Sequence, residues 1–131
     1  MANAVRITIS GVEAAVGRLG RLRGIAWALR PMQRAVYLLQ NRMANYPAQR
    51  AGSSYVRTGS LGRLWTTKVE SSATRVTGLV GNKLEYAPFV QSRQLQSRVH
   101  RGRWQTEMDV IERSEREIIG LFRAAIEEAV R

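Results

Sequence analysis

A chain of 131 residues with 44% hydrophobic content and three prolines is long enough for one domain with its own core, and too apolar for a disordered tail. The lack of cysteine excludes disulfides and thiolate metal sites, and a single histidine excludes a histidine-based metal cluster. The formal net charge of +11 is unevenly spread: residues 1–104 hold 17 Lys/Arg against Glu13, Glu70 and Glu85, whereas residues 105–131 hold four Arg against seven acids.

A basic body with an acidic-leaning terminal segment points to nucleic acid or an acidic protein as partner. The plainer reading is an Arg-rich solubilising surface, since all but Lys68 and Lys83 of the basic residues are Arg. Arg6 and Thr8 interrupt the apolar residues of the N-terminus, so it does not read as a signal peptide. No apolar run approaches a membrane span, and a soluble protein made inside the cell is expected.

Val5, Ile7 and Ile9 alternate with Arg6 and Thr8, the pattern of a half-buried strand. Ser10-Gly-Val-Glu13 then has the form of a capping box. The helix it opens puts Val12, Val16 and Leu19 on one face, continued by Leu22, and should break near Gly24. A second helix is predicted over residues 25–45. Pro31 either kinks it or lies in the first turn of a helix continuing from Met32, and Tyr46-Pro47 ends it.

Residues 47–60 read as loop. Residues 64–70 form a predicted strand with Trp65, Thr67 and Val69 on one face; a turn over 71–74 leads to a return strand over 75–81, offering Val76, Leu79 and Val80 for burial. Gly78 inside that strand implies a bulge or close approach by another backbone. Residues 86–91 read as one turn of helix packing the aromatic pair Tyr86 and Phe89. Residues 92–103, with Arg93, Arg98, His100, Arg101 and Arg103, read as an exposed loop.

The last element is the clearest. Thr106 stands as cap before Asp109, and Met108, Ile111, Ile118, Leu121, Phe122, Ala125 and Ala129 recur at three- and four-residue steps. A helix over 106–130 would be about 37 Å long at ~1.5 Å per residue. The expected fold class is α+β, a single domain over 1–131 in which a small antiparallel sheet packs against N-terminal helices and a long C-terminal helix.

Catalytic chemistry has little to work with. His100, beside Arg101, reads as a surface or hydrogen-bonding residue, and the acids outside the last helix do not cluster as two-metal chemistry needs. The segment 59–62 lacks the spacing and the Lys-Ser/Thr of a phosphate-cradling loop. Neither an enzyme nor a cofactor is expected. Trp65 and Trp104 follow Arg63 and Arg103 closely, a juxtaposition that can stack nucleic-acid bases but more commonly anchors a core or an interface.

Three segments in order carry a family resemblance: Arg50-Ala-Gly-Ser-Ser-Tyr-Val-Arg-Thr-Gly-Ser-Leu-Gly-Arg-Leu-Trp65 with Tyr46-Pro47 before it, Tyr86-Ala-Pro-Phe-Val-Gln91, and His100-Arg-Gly-Arg-Trp-Gln-Thr106. With a helical N-terminal third and a closing helix, they resemble the neck or tail-completion proteins of long-tailed bacteriophages over essentially residues 5–130. The resemblance implies a non-enzymatic virion protein at the head–tail junction, made in the host cytoplasm. It would act within a ring of copies of itself, sixfold by family expectation, beside other neck and tail proteins.

On that reading Arg50, Arg57, Arg63, Arg93, Arg98, Arg101 and Arg103 are the expected contacts to neighbouring subunits or to DNA in the channel, without base readout. Trp65, Tyr86, Phe89 and Trp104 are the expected core or interface anchors, and neither a membrane nor a small-molecule substrate is implied. The competing expectation is a sequence-independent nucleic-acid-binding protein. The basic body favours it, and the lack of a known nucleic-acid-binding motif counts against it.

Overall fold

The computed structural model describes residues 3–10, 24–48 and 60–130. In chain order these form β1 (Asn3–Ser10), α1 (Leu29–Met43), the short α2 (Ser60–Arg63), β2 (Trp65–Ser71), β3 (Arg75–Asn82), the five-residue α3 (Ala87–Gln91) and α4 (Glu107–Ala129). A 3₁₀ turn over Ala26–Ala28 leads into α1, and another covers Arg98–His100. The helix expected over 10–24 and most of the loop over 47–60 lie outside the described residues.

The sheet has the order β1-β3-β2, antiparallel throughout. β2 and β3 form a hairpin in which Ser71 pairs with Val76, and the Ser72 amide donates to the Arg75 carbonyl at 2.8 Å. β1 lies along the other side of β3, from Asn3 opposite Asn82 to Ser10 opposite Arg75. The α+β class, with a long C-terminal helix, is as the periodicities predict.

The core is where α1, β3 and α4 meet. Met32, Ala35, Val36, Leu39 and Met43 recur at helical steps on α1 and are buried, facing Val76 and Val80 of β3. Val110 and Phe122 of α4 close the cluster, and Trp27 meets Phe122 edge-on with centroids 6.4 Å apart. Each fully buried Val, Leu or Met of this set, removed from water, is worth roughly 1.5–3 kcal/mol. Pro31 lies in the first turn of α1, where a missing amide hydrogen costs a helix little, so of the two readings of Pro31 the structure takes the second.

Gly78 sits between Val76 and Val80 on β3. Its register with both neighbours is unbroken, so it marks no bulge. A Cβ there would lie 2.6 Å from Met32 Sδ and from Val36 Cγ1. The close approach is therefore by helix side chains, not by another backbone: α1 seats two of its core residues over the glycine.

α4 opens with a complete capping box. The Asp109 amide donates to Thr106 Oγ1 at 3.2 Å, and the Thr106 amide donates to Asp109 Oδ2 at 2.8 Å. Ile111, Ile118, Leu121 and Phe122 of the expected stripe pack on the core; at its start Met108 is 37% exposed, and Val110 and Ser114 are buried instead. Ser114 explains the shift. Its hydroxyl accepts a 2.8 Å hydrogen bond from Arg42 Nη1 of α1, so a polar residue occupies a position that apolar periodicity would leave out.

Candidate functional site

A second, smaller cluster lies beside the main core and gathers residues from widely separated parts of the sequence. Leu61, Ala87 and Val90 are buried together, with Tyr46, Leu84 and Trp104 packed on them. Tyr46 is the hub. Its hydroxyl accepts a 2.6 Å hydrogen bond from Trp65 Nε1, and its ring lies 4.9 Å from that of Trp104. Burial pushes the Tyr46 hydroxyl above its ordinary pKa, the hydrogen bond from Trp65 acting in the opposite sense.

Amide side chains tie this lobe together. Gln96, buried in the segment expected to be an exposed loop, donates to the carbonyls of Val90 at 2.6 Å and Trp104 at 2.9 Å. Gln91 donates to Met43 O at the end of α1 at 3.0 Å, and Asn82 Nδ2 donates to Leu61 O at 2.7 Å. Gln105 donates to the carbonyls of Arg42 and Asn45 and accepts from Arg113. The segment 84–105 is thus a fixed structure stapled to both long helices. Residues 92–103 are not the simple exposed loop that their composition predicts.

The expected anchors divide. Trp65 and Trp104 are half-buried parts of this framework. Tyr86 and Phe89 are 45% and 51% exposed and do not pack as the expected core pair. α3 turns Ala87, Val90 and Gln91 inward, at i, i+3 and i+4, which throws positions 86 and 89 outward. Leu95 and Val99, at 55% and 71% exposed, join them as large apolar side chains held out on the lobe.

The expected basic contacts divide too. Arg50 and Arg57 lie outside the described residues. Arg93 is engaged within the chain: its guanidinium bridges Asp109 at 3.2 Å and Glu112 at 3.1 Å, and its amide donates to Glu107 Oε2 at 3.0 Å. Those carboxylates, Glu112 first, hold its proton more firmly. Arg103 is half-buried and donates to Ala48 O at 2.6 Å. Arg63, Arg98 and Arg101 are exposed, and none forms an ion pair with another described residue.

His100 meets Trp104 edge-on at 5.9 Å, and burial, with the Arg103 charge nearby, lowers its pKa. A shallow depression of about 420 Å³ between lobe and α4 is walled by Arg103, Trp104, Gln105, Asp109, Glu112 and Arg113. It offers paired charges and no nucleophile beside a base. Among the described residues no three metal-ligating side chains gather, and no helix is long and apolar enough to cross a membrane.

Sequence reasoning missed Tyr46 as hub and Gln91, Gln96 and Gln105 as staples. A polar side chain that serves buried carbonyls carries no periodic signal. No protein-family model, curated protein or solved structure matches this chain.

Proposed function

We propose that this chain is a structural virion protein of the head–tail junction of a long-tailed bacteriophage, completing the tail or joining it to the filled head as one copy of a ring. One observation carries the reading. The separated segments that resemble neck proteins (Tyr46-Pro47, Leu61 to Trp65, residues 86–91 and 100–106) converge on a single lobe in which Tyr46, Trp65 and Trp104 touch and Leu61 packs on Ala87 and Val90. Their convergence supports reading these segments as one unit. Its described residues include exposed apolar and basic side chains.

Charge fits the role. Copies carrying +11 each repel one another, and DNA running through a ring would offset that repulsion by salt-sensitive phosphate attraction. The test is genetic and visual. A phage lacking this gene should accumulate filled heads and separate tails, and purified chain added back should join them. Normal particle yield without the gene would overturn the proposal.

The exposed Arg63, Arg98 and Arg101 favour a second reading, a sequence-independent nucleic-acid-binding protein. Tight binding of duplex DNA by the free chain at moderate salt, with no defect in head–tail joining on its loss, would select it.

A further inference from the structure

We infer that the outer face of the lobe seats on the exposed stripe of α4 in a second copy of this chain. The inference rests on the self-assembly proposed above and assigns its two faces.

The first face is the lobe's apolar surface. Phe89, Leu95 and Val99 are each more than half exposed on a scaffold fixed by Gln96, with the Ser97 amide donating to the Phe89 carbonyl at 2.7 Å. Large apolar side chains held rigidly outward need little ordering on binding. Arg98 and Arg101 flank them, exposed and without an ion pair among the described residues.

The second face follows from charge. Residues 1–104 are strongly basic, so a second copy approaching most of that surface meets like charge. α4 is the exception, with seven acids against three arginines over Glu107–Ala129. Met108 and Ile119, 37% and 49% exposed, stand three turns apart on one stripe of α4, with Glu112 and Glu115 between them and Arg116 on its flank. Glu112 holds its own Arg93, whereas exposed Glu115 has no ion pair among the described residues. The stripe therefore pairs apolar contacts with carboxylate, the complement of the lobe.

Among the described residues, a copy reaches its own stripe only at Glu112. Arg93 clamps the lobe onto the first turns of its own α4, yet Val99 and Ile119 are both left open. With the two faces engaging different neighbours, the contact is head-to-tail and propagates into a ring or a filament, whereas a reciprocal twofold pairing of the same faces would stop at a dimer.

The chain has no cysteine, so disulfide trapping is free of background. The double variant Val99→Cys/Ile119→Cys, mildly oxidised at high concentration with and without duplex DNA, should give a ladder of cross-linked multimers. An equimolar mixture of the two single variants should stop at dimers, and either single variant alone should give little. Adding Arg98→Glu and Arg101→Glu should reduce the ladder about tenfold or more, and Glu115→Arg should restore part of it. Circular dichroism checks that each variant is folded.

A Val99–Val99 cysteine dimer as the main product would overturn the assignment in favour of a twofold contact. No ladder under either condition would overturn it as well. Variants that fail to cross-link but still join heads to tails would leave the neck reading standing with a different interface. Loss of the gene without any joining defect would remove that reading itself.

Discussion

The main core and the lobe are held by different forces. Between α1, β3 and α4 the buried contacts are mostly apolar, with Met32, Val36, Leu39, Val76, Val80 and Val110 almost wholly removed from water and Arg42 bonding Ser114 and Glu117 at the margin. Among the described residues of the lobe only Leu61, Ala87 and Val90 are buried hydrophobics, and Gln91, Gln96 and Asn82 do the joining by bonding carbonyls of other segments. Apolar burial is non-directional and sets how much stability there is. Buried amides contribute less net energy but require one arrangement, because a misplaced partner leaves a desolvated carbonyl unpaired. The core secures the fold, and the lobe secures the position of Phe89, Leu95 and Val99.

Mutations should separate the two. Leu39→Ala, in the centre of the core, should cost ~2–5 kcal/mol and lower the melting temperature of the whole chain. Gly78→Val should cost ~1–3 kcal/mol by overpacking. Gly78→Ala combined with Val36→Ala should cost less than the sum of the single changes, a coupling that a double-mutant cycle by denaturant unfolding would measure.

Gln96→Leu should act locally. Two carbonyls lose a donor, and amide exchange over residues 86–104 should rise by the equivalent of ~1–3 kcal/mol while the global transition moves little. A global loss as large as that of Leu39→Ala would abolish the distinction between core and lobe. Tyr46→Phe should be milder, about 1 kcal/mol, because it removes only the acceptor of Trp65 Nε1.

The smallest effect concerns pH at the junction of lobe and α4. The Thr106 backbone amide, more than Arg93, holds Asp109 below the usual carboxylate range. An unfolded chain therefore binds the proton more readily, and the stabilisation is present above the unfolded pKa and lost as pH falls through the folded one. The lowered His100 acts in the same direction, beginning near its ordinary pKa. Asp109→Asn should flatten the acid limb of stability against pH, and an unchanged limb would show that the cap carries none of it.

The difference between the regions also decides what could be read in advance. β1, the β2–β3 hairpin, α1 and α4 follow from alternation, helical spacing, a turn and a cap. On α4 the spacing picks out Ile111, Ile118, Leu121 and Phe122 but leaves out Ser114, a polar residue buried against Arg42, and includes Met108, which is exposed. The lobe resisted further. Gln96 in a run of arginines looks solvated, and nothing local tells that Tyr46 will meet Trp65 and Trp104. Arg93 looked like its neighbours until its carboxylates, on another element, came into place.

The sheet order has a consequence in time. β1 precedes the other described elements, yet its strand partner among the described residues is β3, with Ser10 opposite Arg75 and Asn3 opposite Asn82. The partner lies roughly 65–80 positions downstream, a long closure compared with the hairpin joining β2 to β3. On a translating ribosome the opening strand therefore emerges with an unpaired edge and stays so until the hairpin has left the exit tunnel. At ~5–20 residues per second that interval is several seconds. Of the three strands described, the earliest made must wait for the latest, and throughout that wait its edge is open to pairing with a neighbouring nascent copy.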